Sequence, residues 1–277
     1  MVALVLFLHP ALSFKRGTSC IRDNGLFSQR QFITYHSLFV TFTSSFTIIT
    51  KPFYIVLHCQ PHFILYSFGY NNWWQIAQDA SYFSRLTGAS PFTHLWFLGV
   101  EMQFYLIWPL LFYLYKKIFR LPGRKRACFF FLIPAFLSLA AMICLYHPGS
   151  DPSRVYYGTD TMGFTLFLGM FLGALRHNYP VLCTPVSRKR QLPVFSGMFG
   201  ITLLLFLLVK GSNSFLYLGG MFVISVFFAV MILFTENQRT LAQELPLASQ
   251  TALLGKYSYN IYLWHYPVIV LLLTAFH

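Results

Sequence analysis

The feature that most constrains this chain is Thr93 to Pro109, THLWFLGVEMQFYLIWP, where a carboxylate sits in a run otherwise apolar enough to cross a bilayer. A charged side chain at the centre of a membrane helix costs about 2.5 to 3.5 kcal/mol on insertion scales, so it is kept where it faces a polar interior. Glu101 is therefore the first functional candidate. Residues three, four or seven apart share a helix face, which stacks His94, Glu101, Tyr105 and Trp108 on one side. Gln103 lies about 200° around the helix from Glu101 and is expected to touch a different neighbour, as interhelical hydrogen-bonding glue.

The rest of the chain agrees with a membrane setting. Only 10% of its 277 residues are charged and 56% are hydrophobic, against about 25% charged in soluble domains. The 32 Phe and 17 Tyr suit spans and interfacial belts. The net charge of +13 falls in short clusters between apolar runs, the pattern of cytoplasmic loops, so a lipid bilayer and not nucleic acid is the expected partner. Cys20, Cys59, Cys128, Cys144 and Cys183 show no CxxC or Cys/His spacing; no metal is expected, and they read as small buried hydrophobes.

The expected fold is all-α, a polytopic bundle of transmembrane helices. Six spans are read: His94 to Tyr115, Ala127 to Tyr146, Thr161 to Leu175, Pro193 to Val209, Phe215 to Phe234, and Tyr257 to Phe276. A further span between Phe32 and Cys59 is interrupted by Lys51 and Pro52. Met1 to Phe14 is too short to cross, and Lys15 and Arg16 follow it where a signal peptide would have them precede it. Tyr70 to Pro91 mixes aromatics with Asn, Gln, Asp and Ser, as at a membrane surface, with Trp73 and Trp74 as anchors. Two regions result: an atypical segment 1–69 and a membrane domain 70–277.

Loop charge sets the orientation. Lys116, Lys117, Arg120, Arg124, Lys125 and Arg126 crowd one connection, and Arg176, Arg188, Lys189 and Arg190 another, so both are expected in the cytoplasm. By alternation His94, the loop His147 to Asp160, the turn Lys210 to Ser214 and the C-terminus are external.

A second polar face lies on the last span. In YSYNIYLWHYP, Ser258, Tyr262 and His265 stand at i, i+4 and i+7, so a hydroxyl, a phenol and an imidazole share a side. Tyr259 and Asn260 read first as structural hydrogen-bonding residues. In the external loop, Asp151, Arg154 and Asp160 read as a surface charge cluster, where an exposed pair contributes at most about 1 kcal/mol. Asp160 starts a span, so it either caps a helix N-terminus or joins the site.

Three stretches together resemble the acyltransferase 3 family of integral-membrane O-acyltransferases: SPFTHLWFLGVEMQFYLIWPLL (Ser90 to Leu111), DPSRVYYGTDT (Asp151 to Thr161) and GKYSYNIYLWHYPV (Gly255 to Val268). Asn71 to Phe83, NNWWQIAQDASYF, is similar to the stretch preceding the first motif in Gram-positive-type members, so the resemblance covers roughly Tyr70 to His277. It implies an enzyme of the bacterial cell membrane that acylates a hydroxyl of an envelope glycan, peptidoglycan or lipopolysaccharide. Acetyl-CoA or a similar acyl-CoA is the implied cytoplasmic donor, with no bound cofactor. The matching positions make Glu101, His265 and Tyr105 the implied catalytic residues. His94, Tyr262, Asp160 and Tyr157 are the implied substrate-binding residues.

Departures from the family pattern set further expectations. The family's N-terminal span with a histidine proposed to be catalytic has no counterpart before Tyr70, and the arginine that usually follows the YYGTDT motif is Met162 here. The expectation is a product truncated at both ends, with either His265 or the missing histidine as the base. Two rival readings stay open. One is an inactive remnant. The other is a proton-coupled transporter, which predicts inverted repeats with interrupted spans in two halves, and these are not seen.

Overall fold

The computed structural model describes residues 69–83, 93–118, 125–179, 187–237 and 248–275. The Phe32 to Cys59 span and Cys20, Cys59 and Cys183 lie outside these residues. Among the described residues every regular element is helical. Nine α-helices carry the fold among them, joined by 3-10 and π turns: α1 (Asn71–Ala77), α2 (Trp96–Ile118), α3 (Leu132–Leu145), α4 (Ser153–Tyr157), α5 (Thr159–Met162), α6 (Phe164–Asn178), α7 (Arg188–Leu208), α8 (Met221–Asn237) and α9 (Ala248–Ala275).

Among the described residues, four helical stretches are long and apolar enough to cross a membrane: Thr93–Ile118, Cys128–Leu145, Lys189–Leu208 and Leu216–Thr235. They coincide with four of the six expected spans. The third expected span is broken. Gly163 separates α5 from α6, and the Phe164 N–H donates to the Ser138 hydroxyl of α3 at 3.0 Å. The sixth falls within α9, whose Tyr, Ser, Asn and His residues dilute its apolar character. Leu106, Ile107 and Leu110 of α2 and Phe199, Leu203, Phe206 and Leu207 of α7 are exposed, as lipid-facing side chains are. Cys128 is buried as expected, but Cys144 is exposed on its helix. A thiol behaves as a small hydrophobe, so a lipid-facing position suits it as well as a core one.

The chain divides into two compact units. One contains Phe119–Val155 and Asp160–Gly255. Its core is Leu168 and Leu172 of α6 against Phe228 and Ala229 of α8, flanked by Leu132 of α3. Tyr146, just past α3, stacks on Tyr217 at 4.9 Å and donates its hydroxyl to Ser214 at 2.7 Å. That contact joins two connections that the loop charges assign to the same side of the membrane.

The other unit contains the described part of Gly17–Ile118, with Tyr156–Thr159 and Lys256–His277. Helix α1 ends in a tight reversal: the Ala80 N–H donates to the Gln75 carbonyl at 3.0 Å and the Asp79 N–H to the Ile76 carbonyl at 3.0 Å. Asp79 takes the left-handed conformation, φ 47°, that this reversal requires and Asp tolerates. A 3-10 turn, Thr93–Leu95, leads into α2.

Candidate functional site

The second unit is fastened by a buried amide network. Gln103 of α2 donates to the Gly69 carbonyl at 2.7 Å and to Asn72 Oδ1 at 2.9 Å. Its Oε1 accepts from the Thr159 hydroxyl at 2.7 Å and from the Trp73 indole at 3.3 Å. Asn72, fully buried, donates to the Tyr157 carbonyl at 3.1 Å and the Thr159 hydroxyl at 2.8 Å. Each donor and acceptor of the part-buried Gln103 amide is thereby used. Gly99 makes the approach of α1 to α2 possible, since a Cβ there would meet Asn72 Oδ1 and the Gly69 carbonyl at 3.1 Å each. Gln103 was expected to touch a different neighbour from Glu101. Asn72 and Thr159 lie in two of the stretches that carry the family resemblance, but nothing in the sequence marks them as partners of Gln103.

On α2, Glu101 and Tyr105 pair directly. The Tyr105 hydroxyl donates to Glu101 Oε1 at 2.7 Å, and the carboxylate is buried. The i, i+4 spacing brings the two together on one face. Trp108, on the same face in the sequence, stacks between Phe104 and Phe112, at 6.3 and 5.3 Å.

His94 lies on the 3-10 turn, buried, and meets α9. Its ring is 5.1 Å from His265, 5.4 Å from Tyr262 and 5.2 Å from Tyr266. The Tyr262 hydroxyl donates to the His94 backbone carbonyl at 2.6 Å. His265 Nδ1 stands 2.7 Å from the Tyr262 carbonyl. A carbonyl only accepts, so Nδ1 carries the proton and Nε2 holds the lone pair. His265 itself is exposed. This arrangement offers a proton acceptor beside a second imidazole. Tyr266 stands four residues past Tyr262 and so shares its helix face, a spacing that could have placed it beside the other polar residues of the last span.

Tyr157 is fully buried, and its backbone carbonyl is held by Asn72. Asp160 belongs to the first unit. Its carboxylate takes both terminal nitrogens of Arg154, at 2.9 and 3.2 Å, and both side chains are part-exposed. It stands in the first turn of α5, inside the helix and not at its cap. Among the described residues no group of three or more His, Cys, Asp or Glu is placed to hold a metal ion.

Helices of this length and apolarity define an all-helical membrane protein, and the described residues include a buried carboxylate–phenol pair and two imidazoles in contact. The chain belongs to the acyltransferase 3 family: the family model described as an acyltransferase domain matches residues 24–277.

It is 37% identical over 204 residues to the candidate peptidoglycan O-acetyltransferase YrhL of Bacillus subtilis (strain 168), covering 73% of this chain and 32% of that protein. It is 36% identical over 206 residues to the peptidoglycan O-acetyltransferase OatA of Listeria monocytogenes serovar 1/2a, covering 73% of this chain and 32% of the other. With the O-acetyltransferase OatA of Staphylococcus aureus (strain NCTC 8325 / PS 47) the identity is 31% over 229 residues, 81% of this chain and 37% of the relative. The chain thus spans about a third of the length of the curated relatives it matches. No solved structure matches it.

Proposed function

We propose that this chain is a membrane O-acyltransferase that moves an acyl group, acetyl in the first instance, from an acyl-CoA on the cytoplasmic side to a hydroxyl of an envelope glycan, peptidoglycan first. The observation that carries the reading is the contact of His94 with His265 in the same unit as the Glu101–Tyr105 pair. Nε2 of His265 takes the sugar hydroxyl proton as the sugar oxygen bonds to the acyl carbon. The carbon–sulfur bond of the thioester then breaks and the thiolate leaves as the oxyanion collapses. Tyr105, whose hydroxyl rests on Glu101, donates to that oxyanion by turning from the carboxylate, or relays a proton between the two. Tyr262 acts by holding His94 and His265, and Tyr157 contributes to acceptor binding from the external loop.

In this reading residues 70–277 form the membrane domain and all six expected spans cross the plasma membrane. The basic ends of α2 and α6 face the cytoplasm, a parity supported by the Tyr146–Ser214 contact. The test is transfer by membrane vesicles that contain the full chain, supplied with labelled acetyl-CoA and peptidoglycan. Base-labile label on the glycan is expected. Its absence with the wild-type chain overturns the proposal.

A further inference from the structure

Aromatic rings from three separate stretches converge in the unit that holds Glu101. Trp96 and Tyr157 form a floor, 4% and 0% exposed. Tyr82, Phe83 and Tyr156 form a rim: Tyr82 is 37% exposed and the other two are half-buried. Tyr82 and Tyr156 lie 4.6 Å apart with their planes tilted by 38°. Tyr156 is 4.9 Å from Trp96, and Trp96 meets Tyr157 edge to face at 5.5 Å. Phe83 closes the rim on Tyr156 at 5.5 Å.

An interfacial aromatic belt places rings singly around the perimeter of a bundle. Here the rings pack on one another, and buried rings hold part-exposed ones in a fixed tilt. Trp96 follows His94 by two residues, so this cluster continues into the turn that carries the imidazole contacts. It also lies at the end of α2 remote from Lys116 and Lys117, which is the external end in the orientation proposed above.

We propose that this aromatic platform is the subsite that docks one sugar ring of the glycan acceptor. The inference rests on the acyltransferase reading and names how that enzyme holds its acceptor. A pyranose has an apolar face of C–H groups and a rim of hydroxyls. The negative ring faces of Tyr82 and Tyr156 suit the C–H groups, and their phenol hydroxyls suit the rim. A rigid apolar floor with a few polar groups at its edge is the usual make-up of a small-molecule site.

The test is binding of chitotetraose, a β-1,4-linked N-acetylglucosamine tetramer, to the full chain in detergent, followed by tryptophan fluorescence, to which Trp96 contributes as one of five tryptophans. Saturable binding is expected, weakened at least about tenfold by Tyr82→Ala and by Tyr156→Ala, as the loss of a stacked aromatic predicts. Tyr82→Leu, which keeps bulk but not the ring, should weaken it comparably, and Tyr82→Phe should stay within about threefold of wild type. Affinities of both alanine variants within about twofold of wild type, or no saturable binding by the wild-type chain, would overturn the platform. Binding is read without an acyl donor. A chain that binds sugar but transfers no acyl group therefore refutes the acyltransferase reading alone, whereas full acylation by both alanine variants refutes the platform alone.

Discussion

The Tyr262 hydroxyl donates to the backbone carbonyl of His94 at 2.6 Å, bridging 168 positions of sequence. This bond ties the last helix to the turn that opens α2. The next turn of the same helix carries His265, whose Nδ1 proton is taken by the Tyr262 carbonyl. One residue thus holds one histidine through its side chain and the other through its backbone. Tyr262→Phe removes only the first of these. It should lower acylation severalfold and cost about 1 kcal/mol of stability, the net worth of one hydrogen bond. Thermal unfolding in detergent beside an acylation assay checks both.

His265 is exposed, so replacing it should cost little stability beyond its ring contacts with His94 and Tyr262. His265→Gln removes the lone pair at Nε2 and should lower the acylation rate by about 10² to 10⁴, the usual contribution of a general base. Unchanged unfolding with a collapsed rate is the expected result, and an unchanged rate excludes His265 as the base.

Glu101 and Tyr105 should differ in their tolerance of change. Tyr105→Phe leaves the buried Glu101 carboxylate without the phenol donor seen at 2.7 Å, whereas Glu101→Gln keeps the shape and a hydrogen-bonding oxygen. Tyr105→Phe should therefore destabilise the chain more, by about 1 to 3 kcal/mol. Glu101→Gln should remain folded while losing acylation. Denaturation curves and transfer rates on the two variants separate these effects.

The amide network predicts a purely structural failure. Gly99→Ala pushes a methyl to 3.1 Å from both Asn72 Oδ1 and the Gly69 carbonyl. Gln103→Leu strands the buried groups that Gln103 now satisfies. Each should destabilise by about 1 to 3 kcal/mol or more. Reduced yield of folded protein from membranes is the observable.

The orientation makes its own prediction. In a cysteine-free background, His147→Cys should react with a membrane-impermeant thiol reagent on intact cells, and Lys117→Cys only after permeabilisation. Both positions are exposed, so access depends on the side of the membrane. The reverse pattern would invert the proposed topology.

Much of this was legible in the sequence, for reasons that differ by residue. Apolar runs long enough to cross a bilayer read directly as helices, and the i, i+4 spacing of Glu101 and Tyr105 marked their bond. The break at Gly163 was not legible, because the bond that accompanies it runs from the Phe164 N–H to the Ser138 hydroxyl on another helix. The angle between Gln103 and Glu101 was readable, but its partners Asn72 and Thr159 come from segments distant in sequence. Asp160 was read as part of a surface charge cluster with Arg154, with a cap or a site role left open beside it. Its carboxylate pairs with Arg154, six residues away, a choice that depends on how the chain turns between α4 and α5.

The central claim is that this chain acylates an envelope glycan through the polar site on α2 and α9. The most direct measurement is mass spectrometry of muropeptides from a host lacking its own peptidoglycan O-acetylation, expressing either the wild-type chain or Glu101→Gln. The account predicts acetylated muropeptides with the wild-type chain and none with the variant. Muropeptides without acetyl groups in both strains, or equal acetylation in both, would contradict it.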